Sequence, residues 1–275
     1  MIWETRTHTF DFSKRGAVMG ILNVTPDSFS DGGSWVDVDA AVSHAARMLA
    51  EGAEIIDIGG ESTRPGAVPV DEAEELRRVI PVIAALAGKC VISVDTMKAR
   101  VAREACAAGA GIINDVGGLR DPAMLEAAAA TGAGVVAMHM QGTPQTMQAA
   151  PLYEDIAGKV RDFFCQTIDR AVRSGVPAAK LVLDPGIGFG KTVEHNLELL
   201  RRLPGISVGT SRPVLLGVSR KSFIGKVLGS SRMEDREWPT VALTSYGREK
   251  GARIFRVHEV KANVEALRMT EAILG

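Results

Sequence analysis

Three hydrogen-bond acceptors stand where short apolar runs of the sequence end. Asp95 closes the run CVISVD, Asn114 closes GIIN and Asp184 closes KLVLD. A carboxylate that leaves water must find donors or lose its charge. Two parallel N–H groups on a flat heterocycle with an amino-amidine edge match one carboxylate, as guanidinium does. With Lys221 able to reach a ring carbonyl or nitrogen, these residues predict a slot for such a heterocycle.

A second set of polar residues follows three other apolar runs and has the opposite chemistry. Its members are Asn23, Thr63, Arg64, Arg256 and His258. Arginine forks suit phosphate oxygens, and the turn ESTRPG adds backbone N–H groups that can form an anion nest. The oxygens of Asn23 and Asp31 are hard ligands for a Mg²⁺ ion held mostly by phosphate. The sequence therefore predicts a phosphate slot with magnesium.

The segment LVLDPGIGFGKT, residues 181–192, has the glycines, lysine and threonine of a nucleotide-binding loop, but each known pattern fails at one residue. The P-loop pattern needs glycine where Pro185 stands, and the dinucleotide pattern needs glycine where Lys191 stands. What remains is an apolar strand that delivers Asp184 into a glycine-rich loop. We therefore do not expect a nucleotide loop here.

The elements that must position these residues repeat along the chain. Short apolar or β-branched runs end in polar residues and are followed by stretches of helical period, which predicts βα units. The runs are residues 17–25, 54–60, 90–96, 111–116, 134–140, 180–186, 213–219 and 254–260. Amphipathic stretches such as 39–52 and 159–175 separate them and end in glycine, a common helix stop.

Eight βα units in a chain of 275 residues match the α/β architecture of the (β/α)8 TIM barrel. Parallel strands buried on both faces read as continuous apolar runs, as these do. A doubly wound open sheet also alternates strands and helices, but the count of eight favours the closed barrel. We expect a single domain over 1–275, with 1–16 capping the barrel bottom. The active site is then expected at the carboxyl ends of the strands.

The composition excludes several classes of function. Net charge is −1, from 32 Lys and Arg against 33 Asp and Glu, so no electrostatic footprint predicts a nucleic-acid partner. No apolar run approaches the roughly 18 residues of a membrane span, and the segment MIWETRTHTFDF is too polar for a signal peptide. Three scattered cysteines indicate neither a disulfide framework nor a zinc site. We expect a cytoplasmic protein without a membrane partner.

Several longer segments carry a resemblance to a known family. They are MGILNVTPDSFSDGG, DIGGESTRPGA, SVDT, MHMQGTPQTMQ, LDPGIGFGK, GVSRKSFIG and RVHEVK. Together they resemble the dihydropteroate synthases, from about residue 17 to the C-terminus. The resemblance implies a pterin-binding TIM barrel, usually a homodimer and a sulfonamide target. It implies a transferase of folate biosynthesis that joins 6-hydroxymethyl-7,8-dihydropterin diphosphate to p-aminobenzoate and releases diphosphate with the help of Mg²⁺.

The same resemblance implies roles for individual residues. The pterin slot corresponds to Asp95, Asn114, Met140, Asp184, Lys221 and Arg256. The diphosphate contacts correspond to Asn23, Thr63, Arg64, Arg256 and His258, with Mg²⁺ at Asn23 and Asp31. The p-aminobenzoate pocket corresponds to Phe29, Pro65, Phe189, Lys221 and Ser222. The catalytic residues are then Asp95, Asp184, Lys221 and Arg256.

The implied reaction breaks the C–O bond between the pterin methylene and the diphosphate. An electron-rich dihydropterin can stabilise a cation on that methylene, so we expect an SN1-like path in which diphosphate leaves first. The segments 23–33 and 62–70 are longer than most βα connections. Both are predicted to be lids over bound substrate.

Two other enzyme classes fit the same barrel. A metal-dependent hydrolase would use Asp95, His139, Asp184 and His258 as ligands, although the first predicted strand offers only Asn23 and no H-x-H pair. A pterin-binding methyltransferase would share the acidic slot but has no need of a diphosphate cluster. Metal content separates the first class from a synthase, and methyl transfer to a corrinoid partner separates the second.

Overall fold

The computed structural model describes residues 1–25, 37–63, 67–149 and 151–275, with only the backbone at 207 and 208. The strands in these ranges are β1 (Ile2–Glu4), β2 (Thr9–Asp11), β3 (Ala17–Asn23), β4 (Ile55–Gly59), β5 (Val91–Asp95), β6 (Ile112–Asp115), β7 (Gly134–Met138), β8 (Leu181–Asp184), β9 (Leu215–Leu216) and β10 (Ile254–Val257). The α-helices are α1 (Val38–Ala50), α2 (Glu72–Leu86), α3 (Ala99–Ala108), α4 (Pro122–Thr131), α5 (Ile156–Arg173), α6 (Val193–Arg201), α7 (Leu203–Thr210), α8 (Ser222–Leu228), α9 (Glu237–Glu249) and α10 (Val260–Leu274).

Strands β3 to β10 form one parallel sheet, and the predicted TIM barrel is confirmed. The strand order is β8-β7-β6-β5-β4-β3-β10-β9. A parallel bridge between Leu183 and Val214 joins the two ends of that order, so the sheet closes on itself. Each of the eight predicted runs contains one of these strands. The last run, residues 254–260, was extended too far toward the C-terminus, because β10 ends at Val257 and Val260 already begins α10.

The first residues of the chain cover the bottom of the barrel. Strands β1 and β2 form an antiparallel hairpin, and its rings of Trp3, Phe10 and Phe12 stack on one another. These rings pack in a cluster with the residues that begin the barrel strands, such as Ala17 and Ile254. Because the hairpin fills this end with apolar side chains, polar ligands must enter at the other end.

The helices form the outer layer, and carboxylates and hydroxyls cap several of their first turns. Helix α1 shows the pattern: Asp37 accepts from the amide of Ala40, and the buried face recurs at Ala41, Ala45 and Met48. No helix in the described part of the chain is both long enough and apolar enough to cross a membrane.

Strand register brings the polar strand ends together. Gly59, Asp95 and Asn114 are Cα partners across β4, β5 and β6, and Asp184 is the partner of Met138 across β7 and β8. On the other side, Arg256 lies in β10, which pairs with β3. The barrel therefore gathers residues far apart in sequence around one opening.

Candidate active site

A cavity of ≈ 1370 Å³ opens at the carboxyl ends of the barrel strands. The residues assigned from the sequence that line it are Asn23, Thr63, Asp95, Asn114, Asp184, Phe189, Lys221, Ser222, Arg256 and His258. Four further assignments, Phe29, Asp31, Arg64 and Pro65, lie outside the described residues, as does most of the first predicted lid. The residues assigned to the heterocycle slot and those assigned to the phosphate slot that the structure describes thus line one cavity.

Arg256 is the centre of the acidic side of this cavity. Its Nε donates to Asp57 Oδ2 at 2.6 Å, and its Nη2 donates to Asp95 Oδ2 at 2.6 Å. Two carboxylates on two strands therefore fix the plane of one guanidinium. The two ion pairs raise the pKa of Arg256 above its usual value against the opposing effect of burial, so the charge is permanent.

Asp57 is a site residue that the sequence reasoning missed. It is fully buried in the middle of β4, and its Oδ2 also accepts from Asn114 Nδ2 at 3.1 Å. Its Oδ1 has no hydrogen-bond partner among the described residues. The signal was present in EIIDIGG, because a carboxylate inside an apolar strand must be paired. Asp57 thus ties Asn114 to Arg256 from below the cavity.

Asp184 is held by the loop that follows β8. Its Oδ1 accepts from the Gly186 amide at 2.7 Å, and its carbonyl accepts from the His139 amide at 2.9 Å. Gly186 has a φ of 67°, and a Cβ there would lie 1.9 Å from the His139 carbonyl oxygen. Only glycine fits this close approach to the His139 carbonyl, so the loop can place the Gly186 amide against the Asp184 carboxylate.

Burial raises the pKa values of the two cavity carboxyls, Asp95 and Asp184, above the usual value of an aspartate. Desolvation raises the pKa of Asp95 to about 7 although Arg256 opposes the shift. Desolvation also raises the pKa of Asp184 to about 6, against the Gly186 amide and the charge of Lys221. A ligand that presents N–H donors favours the ionised forms. The slot is therefore suited to a heterocycle with several N–H groups.

Lys191, which lines the cavity, forms a buried pair with His139. Lys191 Nζ lies 3.1 Å from His139 Nδ1 and donates to the Phe189 carbonyl at 2.9 Å. Burial lowers the pKa of His139 to about 2 and that of Lys191 to about 7. His139, a metal ligand in the hydrolase alternative, therefore shares with Lys191 a hydrogen bond that links two strand-end loops.

Part of the cavity wall is aromatic or formed by methionine. Lys221 Nζ lies 3.9 Å from the centre of the Phe189 ring, a cation–π contact. Met140, assigned to flank the ring, is 1% exposed and packs in a cluster with Met138 and Met147. Met138 and Met147 line the cavity itself. This apolar wall suits the face of a planar ligand.

A carboxylate clamp holds the base of the second predicted lid. Glu61 Oε1 accepts from the Val70 amide at 3.0 Å, which joins the two ends of this connection. Its other oxygen accepts from Lys98 Nζ at 2.6 Å, and Lys98 also pairs with the fully buried Glu75. Thr63 lies inside the clamped segment and on the cavity wall.

The donor set fits a metal only in combination with a substrate. Within the described residues, which include Asp95, His139, Asp184 and His258, no group of three or more His, Cys, Asp or Glu could hold an ion. Asn23 lines the cavity with a hard amide oxygen, and a Mg²⁺ ion bound mainly by phosphates needs only one or two protein oxygens.

Comparison of the chain with known protein families identifies the class of enzyme to which the barrel belongs. The profile of the family described as "Pterin binding enzyme" matches residues 19–258. This range contains all eight barrel strands except the first two residues of β3, and every cavity residue named above. The barrel is that of a pterin-binding enzyme.

Three individual proteins that are highly similar to this chain are dihydropteroate synthases. The dihydropteroate synthase of Escherichia coli K12 is 51% identical over 260 residues, which cover 94% of this chain and 92% of that protein. The Yersinia pestis dihydropteroate synthase, solved in complex with a sulfonamide drug, superposes with a TM-score of 0.93 at 49% identity and covers 100% of this chain and 99% of its own. The Xanthomonas albilineans enzyme, solved with 7,8-dihydropteroate, gives 0.89 at 43% identity, with coverages of 100% and 99%.

The chain belongs to the dihydropteroate synthase family of pterin-binding enzymes. Its activity is the condensation of 6-hydroxymethyl-7,8-dihydropterin diphosphate with p-aminobenzoate to 7,8-dihydropteroate and diphosphate, a transferase step of folate biosynthesis. The two alternatives weighed from the sequence, a metal-dependent hydrolase and a pterin-binding methyltransferase, are therefore not the family of this chain.

Proposed function

We propose that the acidic side of the cavity binds the pterin of this reaction through Asp95, Asn114, Asp184 and Lys221. The two carboxyls, whose pKa values are raised by burial, accept N–H donors of the pterin edge, and binding lowers both pKa values. Arg256, fixed by two carboxylates, stacks on the ring. Met140 supports the methionine cluster that flanks the ring.

The diphosphate is bound on the side of the cavity where β10, β3 and β4 adjoin. Asn23, Thr63 and His258 line that side, and Arg64, from the same connection as Thr63, is assigned to the same anion. Mg²⁺ would be held by the diphosphate, Asn23 and Asp31. When bound, the ion supplies positive charge that neutralises the leaving diphosphate.

The p-aminobenzoate lies against Phe189 and Lys221. The cation–π contact fixes the ring of Phe189 beside the ammonium, which gives the aryl ring an apolar surface next to a cation. Ser222 lines the same part of the cavity and is assigned to the substrate carboxylate. Phe29 and Pro65 complete this pocket in our assignment.

The chemical step follows from the two charge patterns. Cleavage of the C–O bond leaves positive charge on the pterin methylene and ring, and negative charge on the diphosphate. Asp95 and Asp184 stabilise the cation, and Arg256 with His258 stabilises the anion. A preorganised donor at a developing oxyanion is worth about 2.7–4 kcal/mol. The arylamine then attacks the cation, and its proton leaves readily, because a protonated aryl amine is acidic.

One observation supports this assignment above the others: a single guanidinium is bound by two carboxylates at 2.6 Å on the wall that His258 also lines. We further propose that residues 1–275 act as one barrel domain, and that the enzyme is a homodimer that works in the cytoplasm. The single domain rests on the eight βα units, the cytoplasm on the composition and the scattered cysteines, and the homodimer on the family resemblance.

Release of diphosphate that requires both substrates tests the function. We expect Asp184→Asn and Lys221→Ala to abolish turnover while the circular dichroism of the protein is unchanged. Asp115→Asn is the control for Asp184, because Asp115 is also buried but caps the Gly117 and Leu119 amides. Lys159→Ala is the control for the loss of a lysine, because Lys159 is exposed on α5. Near-normal turnover of both site variants at saturating substrate would remove the residue assignment.

A further inference from the structure

Ser219 makes two hydrogen bonds to one residue of the diphosphate side. Its Oγ lies 2.9 Å from His258 Nδ1 and accepts from the His258 backbone amide at 3.1 Å. Ser219 is only 7% exposed, and both residues line the cavity. One hydroxyl therefore contacts the main chain and the ring of the same histidine.

The two bonds favour one of the two ring nitrogens of neutral His258 as the carrier of the proton. Because Ser219 Oγ already accepts the amide hydrogen, its own hydrogen is available to donate to Nδ1. Nδ1 is then the acceptor, so the proton of the neutral imidazole lies on Nε2. The nitrogen across the ring thus becomes a donor, which is the polarity that a phosphate oxygen requires.

We propose that Ser219 is a positioning residue that holds His258 with an Nε2–H donor directed to the departing diphosphate. The inference rests on the proposed role of His258 at the diphosphate. Ser219 itself need not touch substrate, because it acts through the imidazole. A hydroxyl in place of the more common carboxylate partner adds no negative charge beside the leaving anion.

The chain around Ser219 is built to hold this geometry. The next residue, Arg220, has a φ of 57°, a left-handed conformation that is strained for a side chain with a Cβ. Its amide donates to Thr240 Oγ1 at 3.2 Å, and its guanidinium pairs with Glu259 at 2.6 Å. The neighbours of Ser219 and His258 are therefore joined as well.

That second connection supplies a matched control for a purely structural role. If Ser219 only joins the end of β9 to the end of β10, loss of the Arg220–Glu259 pair should have a similar effect. If Ser219 orients the imidazole, only its own removal should impair the reaction. We therefore compare Ser219→Ala with Glu259→Gln in the full-length enzyme.

For Ser219→Ala we expect kcat/KM for the pterin diphosphate to fall about 10- to 100-fold, by analogy with the groups that orient metal-binding imidazoles. The KM for p-aminobenzoate should stay unchanged, and inhibition by inorganic pyrophosphate should weaken. Glu259→Gln should stay within about threefold of wild type, as for an exposed pair. In a His258→Gln background, Ser219→Ala should have no further effect.

A spectrum tests the hydrogen bond without reference to catalysis. Long-range ¹H–¹⁵N spectra of histidine-labelled protein at pH 8.5, with His258→Gln to assign the signal, distinguish the two neutral tautomers. We expect the Nε2–H form in wild type and a mixture in Ser219→Ala. An unchanged tautomer ratio, or an undiminished effect of Ser219→Ala in the His258→Gln background, would overturn the inference. Normal turnover of His258→Gln alone would instead refute the proposed diphosphate role of His258.

Discussion

Replacement of Asp57 by asparagine tests whether a carboxylate behind the cavity determines the geometry of the residues in it. Asp57 is fully buried, and its Oδ2 accepts from Arg256 Nε at 2.6 Å and from Asn114 Nδ2 at 3.1 Å. The side-chain amide of asparagine has nearly the same shape as the carboxylate but no charge. It can also present its NH₂ group to the guanidinium, which leaves two donors facing each other.

The size of the effect follows from the bonds that change. A hydrogen bond to a charged group contributes about 1.5–3 kcal/mol. If that free energy is lost from transition-state stabilisation through Arg256, kcat/KM for the pterin diphosphate falls roughly 10- to 150-fold. Stability should suffer less than the about 3–5 kcal/mol of a broken buried pair, because Asp95 still binds the guanidinium at 2.6 Å.

The assay is steady-state release of diphosphate with the pterin diphosphate varied at saturating p-aminobenzoate. Urea unfolding of the same samples reports the free energy of unfolding. Asp115→Asn is the control, because Asp115 is 2% exposed in β6 of the same sheet, and its side chain accepts from the Gly117 and Leu119 backbone amides outside the cavity. It should lower stability and leave kcat/KM of the folded enzyme close to wild type.

Two results would refute the reasoning. The first is Asp57→Asn enzyme with kcat/KM within about twofold of wild type, because the bond to Arg256 would then carry none of the transition-state stabilisation. The second is equal loss of kcat/KM in Asp57→Asn and Asp115→Asn, which would assign the effect to general disturbance of the barrel.

Three further outcomes are expected. Burial raises the pKa of Asp184 to about 6 and that of Asp95 to about 7. Between pH of about 4 and 7 the native state therefore holds protons that the unfolded chain has released. The contribution of these two groups to the free energy of unfolding should fall as pH rises through that range. Lys98→Met should lower the free energy of unfolding by about 3–5 kcal/mol, because it leaves the fully buried Glu75 unpaired. Gly186→Ala should lower the melting temperature strongly, because its Cβ would meet a carbonyl oxygen 1.9 Å away.

Each of these predictions has its own control. Asp184→Asn should flatten the dependence of urea unfolding on pH, and an unaltered slope would contradict the assigned pKa. Arg100→Met removes an exposed ion pair and should cost about 0–1 kcal/mol, so equal losses would argue against the buried cluster. Gly229 has the same φ of 67° with open space around it, and Gly229→Ala should cost only the backbone strain of about 1–2 kcal/mol.

The barrel could be read from the sequence because its strands are local patterns. Each apolar run is long enough to indicate a strand, and its first polar residue marks the carboxyl end, so Asp95 and Asp184 were found at once. Asp57 was missed for the same reason: it lies inside a run, where the pattern predicts core. Nothing local indicates that Arg256, 199 residues away, supplies its partner.

The sequence alone determined that eight βα units form a barrel, that acceptors and cations collect at one end, and that the longer segments resemble one enzyme family. Periodicity and residue type are properties of short segments, and those suffice for such statements. Only the tertiary structure decided which groups pair: Arg256 with two aspartates, Lys191 with His139, and Ser219 with His258. Barrel closure creates these pairs between distant segments, and their distances and burial determine the protonation and orientation of each group.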